Sequence, residues 1–298
     1  MFMTKSQRFQ VVRSKFTRLQ GYTEIRGTDQ LQYQQAIQLL NSFTPQGASP
    51  KISLRIAYWE DKVGVGCYFM EDDENALLST ILIDQNHLDS KPLNVPISET
   101  AIEAIARGDH QQILTQSPQT SAKLTDLYSV DEASMILYSL LAGDNMIIIH
   151  PDHEQRLDFI RSMVSMMPNL FFKYNRITSG CAELDGNENI IGVSQLPLTY
   201  RSHKKLYMPL DTIFVDLQNQ KVMGEGLKTS DLTKNLVRNY QEKIQLGRKS
   251  IISFFTDISQ KKFTNAGRYD DQSKPLIDKI RNKLGLETND QDNWLLSF

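Results

Sequence analysis

The segment MIIIHPDHEQRLDFI (146–160) places His150, Asp152, His153 and Glu154 within five positions at the end of an apolar run. These are residue types that hold metal ions or move protons. A metal site built on one helix wants its ligands a turn apart, as in H-E-x-x-H, or drawn from several elements. His150 and His153 are three apart across Pro151, an awkward pairing for one ion. The same residues have structural work available. Asp152 followed three positions later by Gln155 fits a capping box, and Glu154 then falls in the first helical turn, where the dipole favours a negative charge. One chemical reading survives as an alternative, an α/β metal-dependent hydrolase combining this corner (His150–Glu154) with Asp211 or Asp216.

Other chemical motifs are missing. GEGLKTS (224–230) lacks the G-x-x-x-x-G-K-[ST] spacing of a phosphate loop. No G-x-G-x-x-G follows a strand-like run, and no G-x-S-x-G occurs. Asp216 closes an apolar run, where a carboxylate commonly bonds to nearby backbone. Catalytic residues therefore stay unassigned, and neither a cofactor nor a metal is expected.

Composition narrows the class. A chain of 298 residues has room for two cores, and 40% hydrophobic with 23% charged residues is ordinary for a globular protein. A net charge of −2 gives no global basic field for nucleic acid. Cys67 and Cys181 are far apart with no CxxC, which suits a reducing compartment and excludes a thiolate zinc site. No apolar stretch approaches the roughly 20 residues that span a bilayer. The expected location is cytoplasmic. Residues 1–20 carry Lys5, Arg8, Arg13, Lys15 and Arg18 without an acid, and Phe9, Val12, Phe16 and Leu19 recur at helical spacing. This pattern predicts a basic amphipathic helix packed on the body, with peripheral membrane contact as the alternative.

A helix over 30–43 is expected next, then the linker FTPQGASP. ISLRIAY (52–58) and VGVGCYFM (63–70) alternate with period two and predict an antiparallel hairpin, with Gly64 and Gly66 allowing a bend or bulge. The spacing predicts a third strand over 77–84 and a helix over 98–108. The polar stretch 109–123 is the best domain boundary, dividing the chain into 1–125 and 126–298. The second half predicts helix 130–143, buried strand 145–150, helix 152–168, strands 170–175, 189–194 and 211–217, then helices over 230–245 and 274–285. Helix–strand alternation of this kind builds an α/β layer with part of its sheet parallel.

The succession LLAGDNMIIIH, RLDFIRSMVSMMP, LFFKYN, ENIIGVSQLP and MPLDTIFVDLQNQKV resembles the DENN module. In that module a helix leads into a buried strand. A second helix, a strand with an Ile-Gly element and a strand ending in Val-Asp-Leu follow. The likeness is to the divergent folliculin-like branch, with DQSKPLIDKIRNKLGLETNDQDNWLLSF as its helical tail. Members of that branch carry an upstream longin domain, whose antiparallel strands ISLRIAYWEDKVGVGCYFM resemble. A longin domain opens with a strand, whereas the reading above puts helices ahead of the hairpin.

The resemblance implies an α/β fold in two parts. A small mixed or antiparallel longin-like unit with leading helices (1–125) would precede a DENN-like three-layer module with a helical tail (126–298). It further implies regulation of a small Ras-like GTPase, by exchange, by stimulated hydrolysis or by scaffolding. The chain would act beside a second longin/DENN subunit and without nucleic acid, and would be recruited to membranes in membrane trafficking. In the folliculin branch hydrolysis is stimulated by an inserted arginine, whose fixed guanidinium neutralises charge on the transferring phosphoryl group. Arg26, Arg55 and Arg107 lie near turns or in a strand, and the motif carries over to none of them; each reads as a surface charge.

Overall fold

The computed structural model describes residues 9–17, 20–27, 31–45, 50–84, 93, 95–96, 98–110, 123–180, 189–196, 201–202, 205–206, 211–260 and 273–286. The protein is α/β, and its first described element is a strand. β1 (Phe9–Thr17) pairs antiparallel with β2 (Gly21–Gly27) and, along its whole length, with β5 (Asn75–Asp84). The helix expected over 1–20 is therefore overturned; residues 1–8 and 18–19 lie outside the described part. The physical reason is a period of two inside the basic run. Val12, Ser14 and Phe16 face one side while Val11, Arg13 and Lys15 face the other, and β5 supplies a full-length ladder that an isolated helix cannot match.

α1 (Tyr33–Phe43) follows β2, and then β3 (Ile52–Trp59), β4 (Lys62–Met70) and β5 form a meander. α1 lies on one face of this half, burying Leu39, Leu40 and Phe43 against Val12, Tyr68, Leu78 and Leu82. α2 (Glu99–Arg107) lies on the other, where Ile102 and Ile105 join the main core. Ser98 caps α2 by accepting from the Ala101 amide, and Gly108 ends it at φ 114°, so this helix forms where its sequence signals put it.

Gly64 and Gly66 do not bend β4. Its register against β3 and β5 is unbroken. They are small because Phe43 occupies the space: a Cβ at Gly64 would stand 2.2 Å from Phe43 Cζ, and one at Gly66 2.8 Å from Phe43 Cβ.

The second half begins with α3 (Lys123–Leu127) and α4 (Val130–Ala142), the latter held by a capping box between Ser129 and Glu132 and stopped by Gly143 at φ 69°. β6 (Asn145–Ile149), α5 (His153–Val164), α6 (Asn169–Phe172), β7 (Ile177–Thr178) and β8 (Ile190–Val193) follow, then β9 (Arg201–Ser202), β10 (Lys205–Leu206), β11 (Thr212–Asp216) and β12 (Lys221–Gly224). α7 (Asp231–Glu242), α8 (Ile244–Ser259) and α9 (Lys274–Lys283) close the described chain. Two expectations change here, and two fall outside the described residues. LFFKYN is the short helix α6 rather than a strand, because Pro168 opens it and Phe171 and Phe172 turn into the core. The helix expected over 230–245 ends at Glu242, since Lys243 is extended at φ −152°, and Ile244 starts α8. The boundary expected over 109–123 and the closing DNWLLSF lie mostly or wholly outside the described residues.

β12-β11-β6-β8-β7-β3-β4-β5-β1-β2 is the order of a single ten-stranded mixed sheet. β11, β6, β8 and β7 run parallel; everything from β3 to β2 is antiparallel. The two regimes meet only at β7, where Ile177 pairs with Ile56 and Thr178 with Arg55. On one side of the sheet the apolar core is continuous, from Ile105 over Ile56 and Ile177 to Met146 and Val215.

Replacing Gly64 or Gly66 by alanine should cost about 1–3 kcal/mol in denaturant unfolding, the usual range for overpacking a filled core. Phe43→Leu should return part of that loss in a double-mutant cycle; simple additivity would show that α1 does not sit on these glycines.

Candidate functional site

β7 is two residues long, too short to join two half-sheets by main-chain bonds alone, and side chains complete the ladder. The Ser179 amide donates to the Leu54 carbonyl at 2.9 Å. In the return direction the Leu54 amide donates to the Ser179 hydroxyl oxygen at 2.9 Å, so a side chain stands in for the missing main-chain acceptor. Ser53 and Thr178 hydroxyls both reach the Gly180 carbonyl, at 3.1 and 3.3 Å. Behind them Arg156, 6% exposed, donates from Nε to the Ser179 carbonyl and from Nη1 to the carbonyls of His150 and Pro151. Gly192 makes room for this arrangement: a Cβ there would stand 2.5 Å from the Ser179 carbonyl oxygen and 3.2 Å from Arg156 Cδ.

Into this seam comes His153 from the first turn of α5. Its Nδ1 is 2.9 Å from Glu99 Oε1 on α2, and its Nε2 is 2.8 Å from Ser179 Oγ. A carboxylate only accepts, so Nδ1 carries the proton, Nε2 accepts from the Ser179 hydroxyl, and that oxygen accepts from Leu54. Every donor in the chain Ser179–His153–Glu99 then has a partner. Burial, and after it the positive charge of Arg156, holds His153 below its ordinary value, against the pull of Glu99 and Asp152. The ring is therefore neutral at neutral pH. Burial likewise pulls the Arg156 guanidinium down, with Asp152 and Glu99 opposing.

Carboxylate, imidazole and hydroxyl stand here in the order used for acyl transfer. The Ser179 oxygen, however, is 0% exposed and spends a lone pair on the Leu54 amide, so a substrate carbonyl has no approach to it. As built, the arrangement is a polar clamp, buried at His153 and Ser179 and half-exposed at Glu99, tying α2, α5, β3 and the end of β7 together.

The four corner residues divide. Only His153 enters the seam. Asp152 caps α5 by accepting from the Glu154 amide at 2.8 Å, without the reciprocal Gln155 arm of a capping box among the described residues. His150 Nδ1 closes the turn by accepting from the Asp152 amide at 3.1 Å, and Glu154 is an exposed first-turn residue. Asp211 sits at the opposite end of the parallel strands, because its carbonyl bonds to the Asn145 amide where β6 begins. It is separated from the corner by the strand's length, on the order of 15 Å, and cannot share a site with it. Asp216 does lie at the corner's end, level with Ile149, but its carboxylate is turned to the amide and side chain of Asn219. Among the described residues no group of three or more His, Cys, Asp or Glu side chains could hold a metal ion.

The three arginines also differ. Arg55 is buried, not on the surface, and donates to the Thr44 carbonyl at 2.7 Å. Arg107 is tied to Glu71 and Glu103 at 2.9 Å each, and Arg26 is exposed beside Glu24. Cys67 is buried in the core, which raises its thiol, and Cys181 lies outside the described residues. Glu99, Arg156, Ser179 and Leu54 escape a reading of the sequence. Glu99 is legible only as a first-turn acid, and nothing local links Leu54 to Ser179, 125 positions away.

No protein-family model matches the chain, and a search of curated proteins finds no match. No helix of the described residues is long and apolar enough to cross a membrane.

Because the folded pKa of His153 lies below its ordinary value of 6.5, the unfolded chain binds the extra proton first. Stability contributed by this group is complete above about pH 6.5 and falls as pH drops below it. His153→Gln should remove that slope, relative to the wild type, in melting curves recorded from neutral to mildly acid pH. His110, held low by burial, bends both curves alike. Ser179→Ala should cost about 2–4 kcal/mol, since it orphans the Leu54 amide and leaves His153 without a partner on one side. A loss under about 0.5 kcal/mol would make the clamp ornamental.

Proposed function

We propose that this chain is a small-GTPase regulator or adaptor of the longin-plus-DENN kind, acting inside a complex by nucleotide exchange, stimulated hydrolysis or scaffolding. The observation that carries the reading is element order. α4 leads into the buried strand β6, and α5 follows; β8 contains Ile191-Gly192, and β11 runs into Val215-Asp216-Leu217. That is the succession on which the resemblance rests. The opening strand pair β1–β2 also supports it, because a longin domain begins with a strand. On this reading residues 1–125 form the longin-like unit and 126–298 the DENN-like module, with the division at α3. The partners are a Ras-like GTPase and a second longin/DENN subunit, and the place of action is the cytoplasm with recruitment to membranes. Arg26 and Arg107 reach the surface, but Arg107 is neutralised by two carboxylates and makes a poor finger.

Immobilised full-length chain should retain at least one Ras-like GTPase from a panel in a nucleotide-dependent way, when each is offered GDP-bound, bound to a non-hydrolysable GTP analogue, and nucleotide-free. Failure to retain any of them in all three states would contradict the proposal.

The order Glu99–His153–Ser179, although its serine is sealed, raises one second reading, a hydrolase working through this corner. A fluorophosphonate probe and elemental analysis separate the two. Labelling that vanishes in Ser179→Ala, or a stoichiometric metal ion lost on His150→Ala with His153→Ala, would favour the hydrolase; an unlabelled, metal-free folded chain would favour the regulator.

A further inference from the structure

On the far side of the antiparallel half, β1, the edge strand β2 and the end of α2 enclose an open groove of about 250 Å³. Arg13, Lys15, Arg26 and Arg107 line it, against one acid, Glu24. Two features set it apart from a solvated basic surface. First, Arg13 and Arg26 are direct cross-strand partners in the antiparallel ladder. Like charges placed opposite each other destabilise a sheet, and Lys15 adds a third cation two residues along the same face. Second, β2 is bulged between these positions, and Glu24 takes a left-handed conformation at φ 52°, a cost that an edge strand could avoid by running straight.

Internal pairing does not cancel the cations. Arg13 makes no ion pair among the described residues; its guanidinium lies against Gly108, the C-cap of α2. Glu24 is 3.9 Å from Arg26, with both side chains more than half exposed, and such a pair is worth little. Among the described residues Arg107 is the cation that is closely answered, by Glu71 and Glu103, while Lys15 has the exposed Asp72 carboxylate within electrostatic reach.

We infer that this groove binds a phosphate-bearing anion held between Arg13 and Arg26, with Lys15 closing one side. Guanidinium forks match phosphoryl oxygens two at a time, and a compact multiply charged anion relieves a repulsion that a single carboxylate would leave half answered. The volume suits a phosphoryl head rather than a folded segment. Two sources share this chemistry, an inositol-phosphate lipid headgroup and a soluble polyphosphate.

The test uses the full chain and the double variant R13Q/R26Q. Inorganic pyrophosphate is titrated by calorimetry. Vesicles of phosphatidylcholine, alone or containing phosphatidylinositol bisphosphate, are sedimented with the protein. Binding is expected to one phosphate-bearing probe, to weaken with added salt, and to fall by about tenfold or more in the variant. The variant should melt at the same temperature as the wild type or higher, because removing the like-charged pair relieves the ligand-free fold. Preference for the bisphosphate vesicles assigns the headgroup, and preference for pyrophosphate assigns the soluble anion. Binding to neither, undiminished binding by the variant, or a variant that melts lower overturns the inference.

Discussion

The structure depends on one constraint: an antiparallel half-sheet and a parallel half-sheet are joined through a strand of two residues. Parallel and antiparallel ladders differ in hydrogen-bond spacing, so their junction leaves main-chain groups without natural partners. Buried inside an apolar core, each orphan would cost about 1–3 kcal/mol. Ser179 answers the Leu54 amide, Arg156 answers the Ser179 carbonyl, and His153 holds Ser179 while reaching across to Glu99. Gly192 is small because the Ser179 carbonyl needs the space.

This seam explains why a corner rich in histidine and acid is not laid out as an open reaction centre. Chemistry needs a nucleophile that can be approached and a base with a free face. Here both faces of His153 are spoken for and the serine is sealed, so the titratable groups stabilise a junction. Away from the seam, cations of β1 and the edge strand β2 line the open groove beside the end of α2.

Much of this was legible in the residues. Period-two alternation found β3 and β4, and cap signals found α2 and α4, because those signals act within a turn or two of chain. The reading of 1–20 failed because Val12 and Phe16, one helical turn apart, also share one face of a strand whose other face carries Arg13 and Lys15, and only β5 could decide. LFFKYN failed because the short apolar run Leu170–Phe172 fits a strand or a buried helix equally, and Pro168 reads as the end of the preceding helix when it opens this one. Glycines 64 and 66 read locally as backbone freedom, whereas their cause is Phe43, some twenty positions earlier. At the site, His153 was visible but its partners were not. Residue types fix what a side chain can bond to, while only the packing of α2 and α5 against β3 and β7 brings Glu99 and Ser179 within reach.

Amide hydrogen exchange at Leu54 measures the seam most directly. If Ser179 truly completes the ladder, the Leu54 amide exchanges only through global unfolding, at the same free energy as amides in the centres of β4 and β6. Exchange of Leu54 through a local opening, with β4 and β6 protected to different extents, would show two half-sheets that open independently and would contradict the account.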